Sequence, residues 1–213
     1  MQIAILLFDR LTALDAVGPY EVLTRLPEAE TVFVGERVGE VRTDTGRLGL
    51  RVDATLDEVT APDVVVVPGG PGQAALMDHG PVLEWLRAVD RTSAWTTSVC
   101  TGSLLLAAAG LLTGRRATSH WLALDQLPAF DVTPVSQRVV FDGKYVTAAG
   151  VSSGIDMALA LTARITGETV ARMVQLGIEY DPQPPFTAGS PETAPPEVVE
   201  ALRARTPLVL TGE

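Results

Sequence analysis

The run Ala94-Trp95-Thr96-Thr97-Ser98-Val99-Cys100-Thr101-Gly102-Ser103-Leu104 changes character halfway along. Its first half is rich in Thr, Trp and Val and favours a strand. Residues 104–112 are Leu and Ala with one Gly, which predicts a buried helix. Cys100 stands at the junction, with the small residues Gly102 and Ser103 just after it. This is the layout of a nucleophile elbow, a sharp strand-to-helix turn that lifts one side chain over the sheet edge. Here the side chain is a thiol. The N–H groups and positive dipole end of the following helix point towards the sulfur, a placement that can lower a thiol pKa far enough for thiolate to exist at neutral pH. A buried, inert cysteine is the competing reading of the same position.

The flanking sequence alternates strand and helix. Residues 2–8 read as a wholly buried parallel strand, and residues 11–23 present Leu14, Val17, Val22 and Leu23 on one helical face. Asp15 lies near the start of that helix. It is either an N-terminal cap or a carboxylate held at the carboxyl edge of the first strand, where open α/β sheets place their ligands. Residues 30–35 predict a second strand, 41–52 a hairpin turned around Asp44 and Gly46, and 56–59 a single helical turn.

Asp63-Val64-Val65-Val66-Val67 is the clearest buried strand, and it runs into Pro68-Gly69-Gly70-Pro71-Gly72. Glycines there permit positive φ and let backbone N–H groups face a ligand. No Lys, Ser or Thr follows at the spacing a phosphate loop needs, so the alternatives are an oxyanion-type pocket or a plain tight turn. Residues 81–91 predict an amphipathic helix.

Beyond the elbow, Ala117-Thr118-Ser119-His120-Trp121 leads into a predicted helix over 122–127. His120 is either a hydrogen-bonded structural residue or a secondary catalytic group. His79, beside Asp78 and Gly80, reads as surface. Two histidines and one cysteine make no metal-ligand cluster, and no metal site is expected. Residues 138–141 and 144–148 flank Asp142-Gly143, a strong hairpin signal. Helices follow over 155–165 and 169–179. A Pro-rich stretch from Asp181 to Pro196 then leads to a last helix over 197–205. This tail, 181–213, is expected to dock on its own domain or on a dimer partner.

At 213 residues and 46% hydrophobic, the chain fits one domain, 1–213, with a large core. A net charge of −10 argues against a nucleic-acid partner. One cysteine excludes an internal disulfide and fits a reducing compartment. No apolar run approaches the length of a membrane span, and the first strand lacks the basic flank of a signal peptide. A cytoplasmic protein is expected, with no membrane partner. The alternation predicts an α/β fold: a flavodoxin-like three-layer sandwich with a mostly parallel sheet.

Three stretches resemble the DJ-1/PfpI superfamily, whose fold is akin to class I glutamine amidotransferases. They are Val64-Val65-Val66-Val67-Pro68-Gly69-Gly70, Ser98-Val99-Cys100-Thr101-Gly102-Ser103 and Ala117-Thr118-Ser119-His120-Trp121. Leu14-Asp15-Ala16-Val17-Gly18-Pro19, Thr101 where the PfpI proteases carry His, and Val174-Gln175-Leu176-Gly177-Ile178-Glu179-Tyr180 with Pro184-Pro185-Phe186 and Ala188-Gly189-Ser190-Pro191 narrow the likeness to bacterial isocyanide (isonitrile) hydratases. That resemblance implies a cofactor-free hydration of R–NC to an N-substituted formamide by a homodimer. It implies that the Cys100 thiolate forms a thioimidate. Asp15 would relay protons, and Thr101 would hold Asp15 through its hydroxyl. Gly69, Gly70 and Val151 are the implied substrate-binding or oxyanion positions, with the Gly70 and Thr101 N–H groups binding charge or water beside the sulfur. The chain departs from the hydratases in placing Ala148 and Ala149 before Gly150, where they carry a glycine run. The added methyls would narrow the pocket or stiffen the next helix.

Other readings stand beside this one. Glyoxalase or deglycase chemistry on α-oxoaldehydes would use the same thiolate. A class I amidotransferase needs a late His–Glu pair, and no His follows His120. The ligand-sensing half of an AraC-type regulator would continue into a helix-turn-helix, and this chain ends about where such a domain would begin. A cysteine redox sensor would oxidise without turnover.

Overall fold

A computed structural model describes residues 1–78 and 80–206. The reading of His79 as surface lies outside the described residues, as does the end of the tail. The main sheet has seven strands in the order β10-β11-β7-β6-β1-β2-β5. These are β1 (Gln2–Leu6), β2 (Glu30–Gly35), β5 (Ala54–Thr55), β6 (Val64–Val67), β7 (Trp95–Val99), β10 (Val139–Asp142) and β11 (Tyr145–Ala148). All neighbours run parallel except β10 and β11, whose hairpin pairs Asp142 with Tyr145. Gly143 turns it at φ 63°. Two short ribbons lie apart from this sheet: β3 (Gly39–Arg42) with β4 (Gly49–Val52), and β8 (Arg116–Ala117) with β9 (Thr133–Pro134).

The central strands are apolar because both sheet faces are covered. Ile3, Ile5 and Val64 to Val67 are all fully buried. Helices α1 (Ala13–Leu23), α4 (Ser153–Thr166) and α5 (Glu168–Gly177) pack together, as do α2 (Gly80–Asp90) and α3 (Gly102–Ala108). With the sheet between them they make the three-layer α/β sandwich that the alternation predicts. Two expectations shift. The elbow helix starts earlier, at Gly102, and stops at Ala108, because Gly110 takes φ 78° just beyond. The helix expected over 122–127 is instead a 3-10 segment, Leu124–Phe130, which contains Pro128.

Sheet order locates the site. From β1 the chain steps outward to β2, and from β6 it steps the other way to β7, so the direction reverses between β1 and β6. Open α/β sheets bind ligands beyond the carboxyl ends of the strands at such a point. Asp15 follows β1, Gly69 and Gly70 follow β6, and Cys100 follows β7, so three adjacent strands deliver them to one edge. The tail runs without regular structure from Asp181 to α6 (Pro196–Arg203), which approaches Trp121 with the Arg203 guanidinium 5.6 Å from the ring centre. Among the described residues no helix is long and apolar enough to cross a membrane.

Candidate active site

Cys100 occupies the left-handed backbone region, φ 58°, which is uncommon for a residue with a Cβ. Its surroundings hold it there from both ends. Its N–H donates to the carbonyls of Ala148 and Ala149, at 3.1 and 2.9 Å. Its carbonyl accepts from the hydroxyls of Ser103 and Ser119, at 3.2 and 3.1 Å. Ser119 was not singled out from the sequence. Its neighbour His120 drew attention because imidazoles do chemistry, and only the fold brings Ser119 under the elbow.

Asp15 is not a cap. It sits in the first turn of α1, fully buried, and its Oδ2 accepts from the Gly69 N–H at 3.0 Å. Its Oδ1 is buried with no hydrogen-bond partner. Burial pushes its pKa up from 3.8 to about 7, against the opposing pull of the Gly69 N–H and the Cys100 thiol. The thiol is also pushed up, first by burial and second by the Asp15 carboxylate, while Thr101 opposes through its N–H and hydroxyl. Burial of the sulfur beside the Asp15 carboxyl thus opposes the lowering that the helix N-terminus favours, and α3 is only 7 residues long.

The neighbouring residues also differ from their expected roles. Thr101 does not hold Asp15. Its Oγ1 accepts from the Gly70 N–H at 3.0 Å, and its hydroxyl favours negative charge on the sulfur. The Gly70 N–H is thereby engaged and is not an open oxyanion donor, whereas the Thr101 N–H faces Cys100. Gly69 has to be glycine: a Cβ there would lie 2.5 Å from the Thr101 nitrogen and 3.0 Å from the Cys100 Cβ. Gly70 has φ 125°, and its Cβ would collide with Thr12.

A cavity of about 390 Å³ lies beside the elbow's supports; of the predicted site residues Val151 and His120 line it, whereas Cys100, Asp15, Thr101, Gly69 and Gly70 do not. Ser119 and Ala149, both bonded to the Cys100 backbone, line it, and so do Val151, His120, Trp121 and Leu14. His120 accepts from the Leu122 N–H at Nδ1, and burial lowers its pKa, so it lies in the cavity wall as a neutral ring. The Ala149 methyl stands where a glycine run would leave space, on the cavity wall. Among the described residues no group of His, Cys, Asp and Glu is placed to hold a metal ion.

A cysteine on a strained strand-to-helix turn, coupled to a buried carboxylate at the switch point of a parallel sheet, defines a class of α/β proteins built around one thiol. The DJ-1/PfpI family profile matches residues 1–164, and the chain belongs to that family. Within it, the isonitrile hydratase of Pseudomonas putida is 44% identical over 205 residues, covering 96% of this chain and 90% of that protein. The crystal structure of a ThiJ/PfpI family protein from Pseudomonas syringae superposes with a TM-score of 0.93 at 38% identity, covering 95% of this chain and 84% of that one. The HTH-type transcriptional regulator CdhR of Pseudomonas aeruginosa is 35% identical over 139 residues, 64% of this chain but only 40% of the regulator.

Proposed function

We propose that the protein is an isocyanide hydratase, converting R–NC to R–NH–CHO through a thioimidate on Cys100. The observation that carries this is the buried Asp15 carboxyl coupled to the Cys100 thiol, with its pKa raised to about 7. A group with that proton affinity both takes and returns a proton near neutral pH. The likeness to the P. putida hydratase over nearly the full length supports the same reading.

In the first step Asp15 takes the thiol proton as the sulfur attacks the terminal carbon of the isocyanide. The S–H bond breaks and the S–C bond forms. Asp15 then hands its proton to that carbon, giving R–N=CH–S–Cys100. In the second step the Asp15 carboxylate takes a proton from water as the water oxygen attacks the same carbon, and it passes that proton to the nitrogen, giving R–NH–CH(OH)–S–Cys100. Collapse breaks the C–S bond, the hydroxyl proton returns to sulfur, and the formamide leaves. No electrons are gained or lost, so the chemistry calls on no redox cofactor. In this reading the Thr101 N–H and hydroxyl steady charge on the sulfur, and Gly69 orients Asp15. Val151 and His120 shape the pocket.

We further read the chain as one domain, cytoplasmic, acting as a homodimer without nucleic-acid partners. Large apolar side chains left at the surface, among them Leu176 (81% exposed) and Phe186 (78%), support the dimer.

Formamide release from a simple alkyl isocyanide tests the function, with wild type, Cys100→Ala and Asp15→Asn assayed together. The expected result is turnover by wild type and loss in both variants. Turnover surviving in Cys100→Ala would sink the thioimidate route. A wild type inert to isocyanides but active on methylglyoxal would move the protein to α-oxoaldehyde chemistry.

A further inference from the structure

We propose that the C-terminal tail is the specificity-determining wall of the substrate cavity: residues 189–192 limit the size of the group carried on the isocyanide nitrogen. The inference rests on the hydratase reading for the identity of that group, but its geometry does not. The inner wall of the cavity is the elbow's own support, Ser119 and Ala149. The tail lines the same cavity through Gly189, Ser190, Pro191 and Glu192. Cys100 does not itself line the cavity, but two residues bonded to its backbone do, so a group carried on Cys100 that extends past them reaches the space the tail encloses.

The tail is held there by few interactions. The Ser136 hydroxyl donates to Glu192 Oε1 at 3.2 Å, fixing the tail to the loop before β10. Trp121 provides the other hold. One side of it lines the substrate cavity, and the other lines a cleft of about 50 Å³ with Val198 and Leu202 of α6. Gly189, Ser190 and Pro191 line both spaces, so one segment sets the position of the wall and of the indole together. No strand ladder secures this stretch, because it has no regular structure. Loosening the Ser136–Glu192 tether therefore changes the size of group admitted more than it changes the elbow.

The test compares the full-length wild type with Ser136→Ala, Glu192→Ala and Glu192→Gln. Two ratios are read: kcat/KM for cyclohexyl over methyl isocyanide, and the S-alkylation rate of Cys100 by N-benzyl-iodoacetamide over iodoacetamide, followed by intact mass. Both alanine variants are expected to raise both ratios, by roughly tenfold if the wall acts as pocket contacts generally do. Glu192→Gln keeps the acceptor for Ser136 and is expected to hold the wild-type ratios; if it behaved like Glu192→Ala, charge rather than the tether would set the wall, and the tether argument would fail. Unchanged ratios in both alanine variants overturn the proposal outright. The alkylation ratio needs no turnover. A protein inert to isocyanides whose alkylation ratio still rises in the alanine variants keeps the wall and loses the hydratase.

Discussion

Asp15 is the residue whose surroundings cost the fold most. Its carboxyl is fully buried with one hydrogen bond from Gly69 and one oxygen unpartnered. A pKa raised from 3.8 to about 7 corresponds to roughly 4 kcal/mol between its two protonation states. Because the folded value lies above the unfolded one, this contribution to stability is fully present below pH 3.8 and is lost as pH rises to about 7. Asp15→Asn keeps an oxygen for the Gly69 N–H and carries no charge. It is expected to melt several degrees above wild type at pH 8 and without that advantage at pH 4, in thermal scans run in both buffers. An Asn variant no more stable at pH 8 would mean that the carboxylate is not buried at a cost. The same proton governs rate. With Asp15 protonated the thiol has no acceptor, so kcat/KM for isocyanide is expected to rise with pH through a midpoint near 7. A profile flat from pH 5 to pH 8 would remove Asp15 as the base.

The element that matters most is the β7–α3 elbow, and its geometry depends on the strand beside it. α3 begins at Gly102, where a Cβ would collide with the carbonyl oxygen of Val67, the last residue of β6. Backbone cannot give way as a side-chain tip can, so Gly102→Ala is expected to destabilise the protein by about 2 kcal/mol or more, with urea unfolding as the readout. A midpoint matching wild type would show that the elbow tolerates displacement from β6. The strand–helix alternation and the cysteine at the junction were readable because polarity and size change sharply along residues 94–104. The two hydroxyls that pin the Cys100 carbonyl were not equally so. Ser103 lies 3 residues away, but Ser119 lies 19 away and is an unremarkable serine until the fold closes. The helix expected over 122–127 gives way to the 3-10 segment Leu124–Phe130 for a local reason: Pro128 has no N–H to continue the i→i−4 ladder.

For the whole molecule, the prediction concerns assembly. Sedimentation equilibrium at micromolar concentration is expected to give twice the chain mass, and a monomer there would leave the exposed Leu176 and Phe186 without the proposed role. The main strands, the parallel sheet and the cysteine at the elbow were legible in the chain, because burial on both sheet faces forces continuous apolar strands and an elbow demands small residues at fixed offsets. Asp15 and Thr101 were singled out as site residues only by the family resemblance. The proton affinities were not legible. A helix N-terminus favours a low thiol pKa, but the folded chain brings the Asp15 carboxyl against a buried sulfur, and both burial and that carboxyl push the other way. Likewise the order of donors, with Gly69 on Asp15 and Gly70 on Thr101, rests on distances of 3.0 Å between residues 54 and 31 positions apart. Residue type and local spacing state which groups are available. Desolvation and pairing depend on what the rest of the chain packs around them, and those are properties of the folded interior.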